Sequence, residues 1–165
     1  MNKKHQEVFT VLERLEIPYG IIHHPPAPTI DVAVQYWSAL EAVHCKNLFF
    51  RNHKGNRHYL VIFDCMKQLN IHDLEQRLKQ GKLSFASPER MDRYLGLSPG
   101  SVSPFGLIND KLHEVYVFID HNLLNAKKLS FHPNENTASV SISLSDFQKF
   151  LKAMGNGFEF TVLYD

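Results

Sequence analysis

The chain has 165 residues, 44% of them hydrophobic and 21% charged, with a formal net charge of +1. That length suits one domain whose core needs no disulfide or metal staple. The near-neutral balance argues against a uniformly basic nucleic-acid binder while allowing a local basic patch, and no apolar run approaches the ~20 residues of a membrane span.

Residues 2–16 read as a helix, because Val8, Phe9, Leu12 and Leu15 fall at helical spacing and Pro18 ends the pattern. Tyr19 to His23 reads as a short strand, and His24-Pro25-Pro26-Ala27-Pro28 as a stiff loop. Thr29 is the N-cap expected for a helix over 30–40, with Asp31 favourable in its first turn. Two strands, 46–51 and 58–63, flank the polar segment Asn52-His53-Lys54-Gly55-Asn56-Arg57, as in a hairpin. A short polar helix is expected over 72–80. Ser87-Pro88-Glu89 is a sharp helix start and Gly96 its end. Residues 97–106 form a loop dense in small residues. Strands follow near 114–119, 128–131 and 137–142. Ser145 with Gln148 reads as a capping box opening a helix that Gly155 closes, and Phe158 to Leu163 as a last strand. Strands with scattered helices indicate α+β in a single domain spanning 1–165, not regular βαβ winding.

The two cysteines, Cys45 and Cys65, form no CxxC pair, and the start Met1-Asn2-Lys3-Lys4-His5 lacks a signal-peptide core. Both features fit a reduced, cytoplasmic protein. The ten histidines show neither an HExxH motif nor a Cys/His ladder, so no metal and no cofactor are expected. Cys45 adjoins His44 and Lys46, yet neighbours on a strand point to opposite faces, which disfavours a thiolate pair.

Three clusters carry candidate chemistry. Lys46 opens an apolar strand; it is either a solvated strand end or an ammonium for a phosphate or carboxylate. The loop Gly100-Ser101-Val102-Ser103-Pro104-Phe105-Gly106 is either a turn-rich connection or a set of backbone donors for a developing oxyanion. No GxSxG elbow surrounds its serines. His132-Pro133-Asn134-Glu135-Asn136-Thr137 is either a polar turn or the rim of a pocket.

Together and in this order, Lys46-Asn47-Leu48-Phe49, the stretch Leu83-Ser84-Phe85-Ala86-Ser87 leading to residues 95–110, and Phe131-His132-Pro133-Asn134 resemble the YbaK/ProX family. Its members are free-standing relatives of the editing domain inserted in bacterial prolyl-tRNA synthetase. The resemblance covers about residues 5–160 and looks closest to the ProX (PrdX-like) branch, which deacylates alanyl-tRNA(Pro). It implies a compact domain around a bent, mostly antiparallel mixed sheet with flanking helices. It also implies hydrolysis of the ester joining an amino acid to the terminal adenosine of tRNA. Lys46 matches the family's hallmark lysine, which engages the tRNA 3′ end, and Gly100 to Pro104 match its Gly-x-x-x-Pro loop.

By that likeness Lys46, Gly100, Ser101 and Val102 are the expected catalytic set. Asn47, Ser103, Pro104, Phe105, Gly106, His132 and Asn134 are expected to bind substrate. The implied partners are the acceptor end of tRNA(Pro) and, as a further candidate, prolyl-tRNA synthetase; a monomer or weak dimer is expected, and no membrane. Rival readings are another cargo such as Cys-tRNA(Pro) or a Ser/Thr-charged tRNA, a non-catalytic binding module, and a small-molecule hydrolase. A proline-activating site cannot exclude alanine strongly, since a missing methylene is worth only about 1–3 kcal/mol, so a second hydrolytic site is needed.

Overall fold

A computed structural model of the chain describes residues 3–23, 42–135 and 137–164. The helix expected over 30–40 lies outside them. In chain order the elements are helix α1 (Lys3–Arg14), strands β1 (Gly20–His23), β2 (Val43–Asn52) and β3 (His58–Asp64), helix α2 (Ile71–Leu78), strand β4 (Leu83–Phe85) and helix α3 (Pro88–Leu95). A 3-10 helix (Pro104–Asn109), β5 (Val115–Asp120), a second 3-10 helix (His121–Asn125), β6 (Lys128–Phe131), β7 (Ala138–Ser143), α4 (Leu144–Met154) and β8 (Phe158–Thr161) complete them.

The strands form one mixed sheet in the order β1-β7-β6-β2-β3-β5-β8, with β4 added beside β2. Pairings β1–β7, β6–β7, β2–β3 and β2–β4 are antiparallel. Pairings β2–β6, β3–β5 and β5–β8 are parallel. The sheet is therefore mixed and mostly antiparallel, as expected, with parallel pairings that the sequence did not locate. Parallel neighbours need long crossovers, and those leave no local turn signal in a sequence.

Each face of the sheet carries its own core. On one face Phe49, Leu60, Ile62, Val117 and Ile119 pack with α1, α4 and the end of α3. On the other, Phe50, Tyr59, Val61, Phe63 and Phe118 pack with Leu74 and Leu78 of α2. Because both faces of β3 are covered, its residues 58–63 are all buried. This explains why β3 reads as a continuous apolar run rather than an alternating one.

Local caps set the element ends. Ser87 accepts a hydrogen bond from the Arg90 N–H with Pro88 behind it, and Gly96 ends α3 in the left-handed region at φ 66°. The expected capping box at Ser145 is corrected: Ser143 caps α4, accepting from the Asp146 N–H, and Ser145 only shares a hydroxyl contact with Ser143. Strand β7 runs to Ser143, so the helix can begin directly at the strand end. Strand β4 and the 3-10 turn after β5 were not expected, since three to five residues carry no usable periodicity.

Candidate functional site

The outer edge of β2 serves two partners. Val43 and His44 pair with Leu129 and Ser130 of β6, while Phe50, Arg51 and Asn52 pair with β4. Between them, among the described residues, no strand is registered beside residues 45–49 on that edge, although Ala86 N–H reaches the Phe49 carbonyl. The described strands are thus split along one side of β2, and Lys46 and Asn47 stand at the split.

Alternation sends these two residues to opposite faces. Lys46 is exposed and pairs in register with Phe63, so it shares a face with His44 and Leu48. Asn47 pairs with Ile62 and shares the face of Cys45 and Phe49, that of the larger core.

His132 lies two residues beyond the last registered β6 residue, as Lys46 does on β2. Its ring stands edge-on to that of His44 with centroids 5.2 Å apart. His132 Nδ1 lies 3.1 Å from the Ala138 carbonyl oxygen, which can only accept, so Nδ1 carries the proton. His44 Nδ1 lies 3.0 Å from the Ser130 hydroxyl. His44 and Ser130 were not singled out in the sequence. Their meeting depends on the parallel β2–β6 pairing, which joins residues 86 apart.

The second cluster is the loop that follows α3. Gly100 has φ 87°, a conformation that favours glycine. The Ser101 N–H is already engaged by the Ser98 carbonyl at 3.1 Å. Among the described residues this leaves the N–H groups of Gly100, Val102 and Ser103 of the expected loop donors, since Pro104 has none. Ser103 is fully buried, and its hydroxyl accepts from the Phe105 N–H at 3.1 Å. That hydroxyl therefore shapes the loop.

Phe105 is fully buried, edge-on to Phe131 and Phe150 at 5.8 and 5.3 Å. A Cβ on Gly106 would meet Leu97 Cδ1 at 2.8 Å and the Leu95 carbonyl oxygen at 3.2 Å, so this glycine permits close packing. Pro104, Phe105 and Gly106 thus sit beneath the loop and hold it in place. Asn134, in the left-handed region at φ 61°, donates from Nδ2 to the Phe105 carbonyl at 3.3 Å. The turn after β6 is bolted to the same 3-10 helix.

Two acceptors among the expected site residues are left over. Asn47 Nδ2 donates to the Cys45 carbonyl at 3.4 Å, and Asn47 Oδ1 is buried with no partner. Asn134 Oδ1 is buried with none either. A buried unsatisfied acceptor costs about 1–3 kcal/mol. Such atoms suit a ligand bearing N–H or O–H donors. Burial pushes the Cys45 thiol well up and Cys65 to about 11, so neither is a ready thiolate.

The profile of the aminoacyl-tRNA editing domain family matches residues 24–150. The chain is 40% identical over 154 residues to the prolyl-tRNA editing protein ProX of Acetoanaerobium sticklandii, covering 93% of this chain and 94% of that protein. It is 32% identical over 149 residues to the prolyl-tRNA synthetase associated domain-containing protein 1 of Mus musculus, covering 88% of each. A crystal structure proposed as a trans-editing enzyme for prolyl tRNA synthetase superposes with a TM-score of 0.71 over 98% of both chains. At 19% identity that likeness bears on the fold alone. Among the described residues no helix is long and apolar enough to cross a membrane.

Proposed function

The chain belongs to the aminoacyl-tRNA editing domain family, and from that membership we propose that it is a deacylase of mischarged prolyl-tRNA, with Ala-tRNA(Pro) as its substrate. Water attacks the ester carbonyl carbon, the bond to the ribose oxygen breaks, and the leaving oxygen takes up a proton. The products are free alanine and an intact tRNA that can be charged again.

The observation that supports this reading is a pair of buried acceptors without partners among the expected site residues, Asn47 Oδ1 next to Lys46 on β2 and Asn134 Oδ1 in the turn after β6. Lys46 binds a phosphate near the terminal adenosine as a point charge. The N–H groups of Gly100, Val102 and Ser103 hold the carbonyl oxygen as negative charge develops on it. Asn47 Oδ1 and Asn134 Oδ1 accept from the α-amino group and the ribose hydroxyls, which supply the donors those atoms lack. His132, fixed by Ala138, borders the aminoacyl pocket. Proton transfer is left to water and to the free ribose hydroxyl of the substrate. The chain works as one editing unit across residues 1–165. Its partner is the acceptor end of tRNA(Pro), and its place of action is the cytoplasm, where prolyl-tRNA synthetase makes the error.

A panel of charged tRNAs under single-turnover conditions tests this. Ala-tRNA(Pro) should be hydrolysed far faster than Pro-tRNA(Pro), with Cys-tRNA(Pro) and a Ser-charged tRNA as controls. Equal rates on the alanyl and prolyl forms, or substrate bound without loss of the ester, would overturn the assignment.

A further inference from the structure

Four of the chain's six arginines, Arg51, Arg57, Arg90 and Arg93, belong to the β2–β3 hairpin and α3. Lys54 lies in the turn between the strands. This is a concentrated positive patch in a protein of net charge +1.

The way the arginines are held matters more than their number. Arg51 Nη1 donates to the carbonyls of Asn52 and His53 at 3.1 and 3.3 Å. Arg90 Nη1 donates to the Gly55 carbonyl and lies against His58 Nε2, both at 2.9 Å. Arg93 lies over the Tyr94 ring at 5.4 Å, and that ring stacks against His58 at 3.9 Å. Among the described residues the ion pairs are His5–Glu135, His72–Glu75 and Arg77–Asp73. None involves the patch, although Glu89 and Asp92 are on α3. Carbonyls and ring faces orient these guanidiniums without neutralising them. The arrangement keeps full charge on a rigid surface, as recognition of an anion requires.

The patch also lies on the relevant side. Arg51 pairs in register with His58, whose ring packs on Phe49 and Tyr94 of the larger core. Helix α3 lies on that face and runs through Gly96 into the Gly100–Pro104 loop. Asn47 and Arg51 share that face of β2 four residues apart, roughly 13 Å along the strand. That length spans several phosphates of a nucleic-acid strand.

We propose that Arg51, Arg93 and Lys54 bind backbone phosphates of the tRNA acceptor arm, several nucleotides away from the ester. The inference rests on the editing reading above and extends it from the terminal adenosine to the arm behind it. The patch supplies affinity and register, while the split supplies chemistry.

Fluorescence anisotropy with unacylated tRNA(Pro) across a salt series tests it, using wild type, Arg51→Gln, Arg93→Gln and the double variant. Each guanidinium removed should weaken binding several-fold and flatten the plot of log affinity against log salt by about 0.7–0.9. Hydrolysis of 3′-O-alanyl-adenosine, which carries no phosphate to reach the patch, should keep the wild-type rate in every variant. Should Arg51→Gln fail to fold, the exposed residues in Arg93→Gln and Lys54→Gln carry the comparison. A wild-type salt slope in the variants would overturn the inference, including the case in which the patch serves an acidic protein. The binding slope decides this point whether or not the ester is cleaved; failure to cleave any alanyl ester would overturn the editing reading alone.

Discussion

Replacing Lys46 with alanine separates function from folding. The side chain is exposed and forms no salt bridge among the described residues, so its removal strands no buried charge. A surface change of that kind shifts stability by about 0.5 kcal/mol or less, and Tm by roughly 2 °C or less in a chain of this size. The lost contact is larger. A charge-assisted hydrogen bond to phosphate contributes about 1.5–3 kcal/mol, which is roughly a 10- to 150-fold loss in kcat/KM. The assay is single-turnover deacylation of Ala-tRNA(Pro), with a thermal melt of the same sample. Lys46→Arg should recover part of the rate, because a displaced positive charge still reaches phosphate. Full activity in Lys46→Ala would remove this residue from the mechanism. A drop in Tm of many degrees would show instead that the side chain supports the fold.

Two further outcomes follow from buried groups. Ser103→Ala removes the acceptor for the buried Phe105 N–H and should cost about 1–2 kcal/mol, lowering Tm by roughly 2–8 °C. Ser103→Thr should restore most of it, and an unchanged melt in Ser103→Ala would refute the capping role. Burial, with the guanidiniums of Arg90, Arg93 and Arg51, lowers His58 from 6.5 to about 4. The unfolded chain therefore takes up this proton first. The stabilisation is complete above pH 6.5 and is lost as the pH falls towards 4, by up to about 3 kcal/mol. NMR titration of the imidazole checks this against urea midpoints over the same range; half-protonation near the ordinary value would refute it.

Much of the fold was legible where the cause is local. Pro18, Ser87-Pro88, Gly96 and Gly155 mark ends because proline, serine and glycine act on the backbone within a turn of the chain. The β2–β3 hairpin was legible for the same reason: its strands meet across a short polar turn. The error at Ser145 shows the limit. Ser143 and Ser145 are both plausible caps, and only the length of β7 decides between them.

The candidate site divides along the same line. Lys46, the glycine-rich loop and the His132 turn were found by residue type, order and family likeness. Their arrangement was not. That Lys46 and Asn47 leave β2 on opposite faces follows from alternation, but which strands flank them along its edge depends on where β6 and β4 pair.

The sequence by itself determined that the chain is α+β, where most elements begin and end, and which residues the family likeness puts forward for an editing site. Tertiary structure alone decided the parallel pairings, the split beside β2, the stranded acceptors of Asn47 and Asn134, and the gathering of arginines held by carbonyls and ring faces. Local signals act through a few adjacent dihedrals, whereas these features join strands far apart in sequence and exist only once the sheet has closed around its two cores.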